Sequence, residues 1–161
     1  MKNSACTKKI VLIVLTFVLV LGLFGCSYTD PVIDSLPDYE SKVFYTSGGF
    51  QDFTDYAKYT YESITAQDFD DSKYFNETTA EDVEEILLHI ENFEDWVEEV
   101  DGEVKENYDF DKTTVSEGNY FYIKTKYREP IGKGTYDKFD NYTVYYFDID
   151  AQTLYYFHNN I

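Results

Sequence analysis

The pattern that most constrains this fold is an apolar stripe of helical period in the middle of the chain. Thr78 and Glu81 fit a capping box that would start the helix, and Gly102 fits its end. Between them, apolar residues recur every three or four positions, which places them on one face of a helix. These positions are Val83, Ile86, Leu87, Ile90, Phe93, Val97 and Val100.

After this helix the apolar period changes from helical to alternating. Residues 120–127 place Phe121 and Ile123 on one side and Tyr120 and Tyr122 on the other. Two further β-rich runs, 142–149 and 153–158, flank Asp150-Ala151-Gln152, which is typical of a hairpin turn. The sequence therefore predicts three antiparallel strands after the helix, with one sheet face packed against it and tyrosines on the other.

Residues 50–64 fit two patterns. Apolar or aromatic residues at Phe50, Phe53, Ala57, Tyr61 and Ile64 have helical spacing, whereas a strand over 58–64 competes because tyrosines alternate there with polar residues. We favour the helix. The expected fold class is α+β, with one or two N-terminal helices packed on a C-terminal antiparallel β-meander.

The N-terminus has the layout of an export signal. Three lysines at positions 2, 8 and 9 precede a fifteen-residue apolar run, 10–24, which is shorter than the roughly 20 residues of a spanning helix. The run closes with Leu23-Phe24-Gly25-Cys26. This segment resembles the lipobox of bacterial prolipoproteins, with Leu23 at −3, Gly25 at −1 and Cys26 at +1. Phe24 departs from the smaller residue usual at −2.

The resemblance implies cleavage after Gly25 and acylation of Cys26, which would become the new N-terminus. An uncleaved anchor or an ordinary signal peptide is the alternative. The expected organisation is a signal peptide over 1–25, a lipidated cysteine and flexible tether over 26–42, and an acidic α+β domain over 43–161. Two acyl chains give stable anchoring to a membrane. The mature part is similar to the small lipoproteins of Gram-positive bacteria, and that similarity implies no activity.

The charge of the part after the leader excludes some partners. From Cys26 onward the chain holds 10 basic and all 31 acidic residues, a net of −21. Such a field repels nucleic-acid phosphates and anionic headgroups, so nucleic-acid binding is not expected. The lipid would then make the contact with the membrane. Cys26 is also the only cysteine left after cleavage, so a disulfide cannot form.

The sequence gives little support to an enzyme. The two histidines, His89 on the helix flank and His158 near the C-terminus, are expected to be structural or surface residues, and no nucleophile motif or phosphate-binding glycine pattern is present. We therefore predict no catalytic residue, metal ligand or cofactor. A calcium site is not expected either, because an EF-hand loop starting at Asp109 would place Thr114 and Tyr120 where Gly and Glu are needed.

Two surfaces are candidate binding sites. The long helix carries ten acidic residues between 81 and 101 and no lysine or arginine, which predicts a cationic protein or ion as partner, or a role in solubility alone. The tyrosine-rich sheet face would suit a glycan or a protein interface, or would reflect strand propensity. The candidate residues are Glu91, Asp95, Glu98 and Glu99 on the helix, and Tyr120, Tyr122, Tyr142, Tyr146 and Tyr156 on the sheet.

The expected function is that of an outward-facing lipoprotein of a bacterial cell membrane with a non-enzymatic domain that binds a ligand or partner. One alternative is a cell-envelope hydrolase using paired carboxylates. Another is an inhibitor or immunity-type lipoprotein that binds a basic protein.

Overall fold

The computed structural model describes residues 30–49, 52–126 and 139–160. Cys26 and Gly25, the predicted acylation and cleavage positions, lie outside them. By its internal contacts the chain divides into two compact units, residues 1–33 and residues 34–161. In the first unit, the described residues are 30–33, where the Asp30 carboxylate accepts a hydrogen bond from the Val32 amide at 3.0 Å. A short 3-10 turn covers Ile33–Ser35.

The second unit is an α+β domain, as predicted, and its described residues form one antiparallel sheet of six strands. In spatial order the strands run β1-β2-β6-β5-β4-β3. Their bounds are β1 Ser41–Gly48, β2 Phe53–Thr60, β3 Asn76–Glu77, β4 Tyr120–Thr125, β5 Asn141–Asp148 and β6 Thr153–Asn160. The helices are α1 Ala66–Asp70, α2 Ala80–Glu99 and α3 Glu103–Asn107, with a 3-10 turn at Lys112–Thr114. The predicted meander is β4-β5-β6, and its hairpin turn lies at residues 149–152.

Helix α2 packs across one side of the sheet, which we call the helix face. The apolar stripe predicted from the sequence is buried there, through Ile86, Ile90 and Phe93 above all. Each fully buried aliphatic or aromatic side chain contributes about 1.5–3 kcal/mol. The sheet residues in the same cluster are Tyr56, Tyr142, Val144, Tyr146 and Phe157.

The start of α2 lies one residue later than predicted. The N-cap is Thr79, and the Asp82 carboxylate accepts hydrogen bonds from the Thr79 amide at 2.9 Å and the Thr79 hydroxyl at 2.6 Å. Thr78 is buried instead, and its amide donates to the Asn119 carbonyl. The adjacent pairs Thr78/Glu81 and Thr79/Asp82 both satisfy the capping pattern, so the sequence alone could not choose between them.

The end of α2 is followed by a close approach to β1. The helix ends at Glu99, and Gly102 has φ 154°, after which α3 begins. A Cβ at Gly102 would lie 2.5 Å from the Ser47 hydroxyl oxygen, so a side chain does not fit there. The same hydroxyl accepts the Val104 amide at 2.9 Å and ties α3 to β1.

The prediction of a helix over 50–64 is wrong, because residues 53–60 form strand β2. This strand is paired on both sides, with β1 and with β6, and both its faces are largely covered. A strand buried on two faces does not alternate between apolar and polar residues, so its sequence can imitate a helical period. The competing strand prediction, 58–64, overlaps only its end.

The side of the sheet away from α2, the opposite face, is covered along β4, β5 and part of β6. The Phe69 ring of α1 stacks on Tyr120 with centroids 3.9 Å apart and meets the Phe147 ring edge-on at 4.9 Å. Tyr61 contacts Phe147 as well, at 5.6 Å. Near β2, the Tyr39 ring lies edge-on to Tyr59 at 5.1 Å. The folded unit thus includes residues ahead of Val43, the predicted start of the domain.

Candidate functional site

The four acidic residues predicted as a binding site lie on the solvent side of α2. Glu91, Asp95, Glu98 and Glu99 are all exposed. Glu84 precedes Glu91 by seven residues, about two helical turns, and the other three lie within eight residues after Glu91, so the five carboxylates form one stripe, here named the acidic row. From Glu84 to Glu99 it extends about 22 Å at 1.5 Å per residue. Leu88, an exposed large apolar side chain, lies within the stripe.

Two lysines from the segment after α2 neutralise one border of this row. Lys112 Nζ lies 2.7 Å from Glu94 and 3.7 Å from Glu91, and Lys105 Nζ lies 3.7 Å from Glu98. The hydrogen bond to Glu94 is the main reason that the pKa of Lys112 is raised. Within the residues that the structure describes, no ion pair reaches Glu84, Asp95 or Glu99. The row therefore keeps a net negative charge available to a partner.

The five tyrosines predicted as an aromatic surface do not form one exposed face. Tyr142 and Tyr146 belong to the helix face and have no exposed surface. Tyr142 donates to the His89 carbonyl at 2.9 Å, and Tyr146 donates to the Thr114 carbonyl at 2.7 Å. Burial raises the pKa of both phenols.

The other three tyrosines lie on the opposite face. Tyr122 and Tyr156 are half-buried, and Tyr120 is buried under Phe69. The register explains the split, because Tyr122 pairs with Tyr145 rather than with Tyr142 or Tyr146. Neighbouring residues of β5 point to opposite faces, so the sheet divides the predicted group in two.

Both histidines occupy more buried positions than the sequence indicated. His89 is in the core, where Nδ1–H donates to the Glu85 carbonyl at 2.9 Å and the ring meets Tyr142 edge-on. His158 lies inside β6 and is half-buried, with Nδ1 2.8 Å from the Tyr142 carbonyl oxygen. The flank and surface positions expected for them are therefore wrong.

His158 belongs to a polar row that crosses four strands of the opposite face. The register aligns Thr46, Asp55, His158 and Thr143 side by side. Burial raises the pKa of the Asp55 carboxyl and lowers the pKa of the His158 imidazole. Groups with such shifts are candidates for acid–base chemistry.

The geometry of this polar row argues against a nucleophile and base. The Thr143 hydroxyl oxygen lies 2.9 Å from His158 Nδ1, but the Tyr142 carbonyl lies at 2.8 Å from the same nitrogen. A carbonyl oxygen only accepts, so Nδ1 carries a proton and cannot take one from Thr143.

The two buried carboxylates of the described residues are not placed as a glycosidase pair. The buried carboxylates there are Asp55 and Asp148. They lie on opposite faces and about five residues apart along β6, roughly 17 Å, whereas glycosidases need about 5–9.5 Å. Asp148 instead caps the hairpin turn by accepting the amides of Asp150 and Ala151, each at 3.0 Å. No cluster of metal-ligating side chains occurs in residues 30–49, 52–126 and 139–160.

A feature that the sequence did not single out is the outer edge of β1. This strand is the first in the sheet order, and its residues Lys42, Val43, Phe44 and Thr46 are exposed. The Lys42 ammonium lies over the rings of Phe44 and Tyr59, at 5.1 and 5.0 Å from their centroids. The one available signal was the β-forming run Val43-Phe44-Tyr45 in a stretch without acidic residues.

No family model, curated protein or solved structure matches this chain. Among the helices in the described part of the chain, none is long and apolar enough to cross a membrane.

Proposed function

We propose that this chain is an exported, lipid-anchored binding protein that captures a cationic protein on the acidic row of α2. Export and acylation at Cys26 rest on the leader, with its lysines, apolar run and Gly25-Cys26. The domain would then act on the outer side of a bacterial cell membrane. A net of −21 beyond Cys26 leaves the lipid as the attachment to the bilayer.

The observation that carries the proposal is the charge pattern on the solvent side of α2. Like charges such as Glu91/Asp95 and Asp95/Glu99 stand four residues apart and each pair destabilises the helix by a few tenths of a kcal/mol. Glu98 and Glu99 add negative charge at the helix end where the dipole favours cations. A bound cationic partner would replace each of these repulsions with an attraction to the same carboxylates.

A protein is favoured over a glycan as the ligand. Stacking a sugar needs exposed aromatic faces, and Tyr120, Tyr142 and Tyr146 are buried. The acidic row offers instead four carboxylates within about 12 Å of helix, from Glu91 to Glu99, and a fifth at Glu84 about 10 Å before them. A basic helix or strand with lysine or arginine at matching intervals fits this stripe, and exposed Leu88 adds an apolar contact.

The test compares two variants of equal charge. One neutralises the row by Glu91→Gln, Asp95→Asn, Glu98→Gln and Glu99→Gln. The matched control removes four exposed acids elsewhere, by Glu62→Gln, Asp70→Asn, Glu77→Gln and Glu117→Gln. A photoreactive phenylalanine analogue at position 88, on intact cells, identifies the protein that contacts the row.

The captured protein is then purified and its affinity measured against both variants. At about 0.3–1 kcal/mol for each exposed contact, we expect the row variant to bind about tenfold more weakly or worse, and the control to stay within about twofold. Binding should also weaken as salt rises. A partner without a basic surface, or equal losses in the two variants, would refute the proposal.

A further inference from the structure

The outer edge of β1 is an open hydrogen-bonding edge. The Gly49 amide donates to the Asp52 carbonyl at 2.8 Å, which sets the parity of the β1–β2 ladder. In an antiparallel pair, alternate residues turn their backbone groups towards the neighbour. The odd-numbered residues of β1 therefore face β2. The amides and carbonyls of Lys42, Phe44 and Thr46 point away from the sheet, where none of the described strands pairs with them.

This edge lacks the usual protection against strand pairing. Natural edge strands are short, bulged or interrupted by proline, or carry projecting charges. Strand β1 has eight residues, pairs with β2 in unbroken register, and contains neither proline nor an acidic residue. Its one charge, Lys42, lies over the Phe44 and Tyr59 rings instead of projecting outward. Val43 and Phe44, 40% and 45% exposed, supply apolar contacts on both sides of the edge.

The edge is complementary to itself. Because the outward groups belong to even-numbered residues, a two-fold pairing of β1 with a second β1 must align even with even residues. Centring the axis on Phe44 places Phe44 opposite Phe44, Val43 opposite Tyr45, Lys42 opposite Thr46 and Ser41 opposite Ser47. No like charges meet, and the apolar and aromatic pairs are favourable. The neighbouring register centred on Tyr45 would require Gly48 in the ladder, and its φ of 106° is not extended.

We propose that two copies of this chain associate through β1, in antiparallel register centred on Phe44, into one continuous sheet. The ladder adds about six backbone hydrogen bonds. The surface is separate from the acidic row, so this proposal and the capture of a cationic protein can succeed or fail independently.

Salt distinguishes this association from binding to a cationic partner. Each chain has a formal net charge of −18, so two copies repel at long range while β1 itself contributes one positive charge. Screening shortens the range of this repulsion from about 10 Å at 0.1 M to about 3 Å at 1 M salt. Dimerisation should therefore strengthen as salt is raised, whereas a cationic partner would bind more weakly.

The experiment uses the full chain in detergent micelles, labelled with energy-transfer donors or acceptors. Phe44→Lys and Phe44→Glu each place like charges directly opposite each other across the axis, and we expect each to weaken self-association about tenfold or more. In an equimolar mixture of the two variants, energy transfer should recover, and the affinity of association should lie within about threefold of that of the unmodified chain. The reason is that the introduced lysine of one copy lies opposite the introduced glutamate of the other only in this register. Ala151→Lys, at an exposed residue of the turn between β5 and β6, is the control and should leave association unchanged.

Circular dichroism and thermal midpoints establish that each variant is folded. Lys42→Pro provides a second variant, because it removes an amide that β2 does not use, and it should also weaken association. A chain that stays monomeric at high salt overturns the proposal. So does self-association that persists in Phe44→Lys, or a mixture that fails to recover.

Discussion

The hydrogen bond between Tyr56 and Asp109 should be a measurable part of the stability of this domain. Tyr56 is fully buried in β2, and its hydroxyl donates to the Asp109 carboxylate at 2.9 Å. Lys58 Nζ contacts the other carboxylate oxygen at 2.5 Å. The bond fixes the segment after α3 to the sheet, next to the Tyr108 ring, whose centroid lies 5.0 Å from that of Tyr56.

The magnitude follows from the geometry. A hydrogen bond to a charged group contributes about 1.5–3 kcal/mol, and the 58% exposure of the Asp109 side chain lowers this to about 1–1.5 kcal/mol through solvent screening. Tyr56→Phe should cost about that much. Asp109→Ala should cost about 1.5–2 kcal/mol, because it leaves a buried hydroxyl without its acceptor. Lys58→Met removes only a partly exposed ion pair and should cost less than about 1 kcal/mol.

The assay is a double-mutant cycle of Tyr56→Phe and Asp109→Ala, measured by urea unfolding and followed through the single tryptophan, Trp96. The two changes should be coupled by about 1 kcal/mol, because each removes the same bond. Strict additivity, with a coupling energy below about 0.3 kcal/mol, would show that the bond contributes nothing and refute the reasoning.

The same bond predicts a dependence on pH. Burial alone would raise the pKa of the Asp109 carboxyl, but the hydrogen bonds from Lys58 and Tyr56 outweigh it and lower the pKa below the usual 3.8. A group with a depressed folded pKa stabilises the fold above its unfolded pKa, and this contribution is lost as pH falls through the folded pKa. The stability difference between the unmodified chain and Asp109→Ala should therefore be constant near neutral pH and shrink below about pH 4.

Three further outcomes are expected. Thr79→Ala should lower the free energy of unfolding by about 1 kcal/mol because it removes the N-cap of α2. Thr78→Val should be neutral or stabilising, since the Thr78 hydroxyl is buried without a partner among the described residues, and equal costs of the two changes would contradict the capping assignment. Asp55→Asn should raise the thermal midpoint at pH 7 but not at pH 3, because the pKa of the Asp55 carboxyl is raised in the folded state. Such a carboxyl stabilises the fold below its unfolded pKa and loses that contribution as pH rises through its folded pKa, so a gain that does not vary with pH would contradict the prediction. Cells fed labelled palmitate should label the unmodified chain and not Cys26→Ala, and label retained by the variant would exclude Cys26 as the anchor.

The sequence predicted correctly the elements that depend on residues only a few positions apart. The α2 stripe and the turn between β5 and β6 depend on residues within a few positions, and both are confirmed. Strand β2 was missed because its state depends on β1 and on β6, which is about a hundred residues away. The cover of the opposite face was missed too, since Phe69 belongs to a helix of five residues that has no period to detect.

The two candidate binding surfaces differ in the same respect, since one depends on local spacing and the other on strand pairing. The stripe through Glu91, Asp95, Glu98 and Glu99 follows from helical spacing alone, and the structure places these residues on one exposed side. The prediction that the five tyrosines share one face was wrong, because a shared face also depends on the register between β4 and β5. The long connection at 126–140 leaves that register open, and a shift of one residue exchanges the two faces of a strand.

The position of β6 in the sheet has a consequence for when the domain can fold. Strands β1 and β2 form a hairpin early in the chain, and β3 to β5 follow, but among the described strands these two groups join only through Thr153–Asn160. Until that segment is synthesised, the core between β2 and β5 has no central strand, and pairing over such sequence distances is slow. For a chain that is exported, as proposed above, this order would be an advantage, because we expect it to delay folding until β6 has been made. The same arrangement makes this eight-residue strand indispensable, since its deletion would separate the sheet into two pieces.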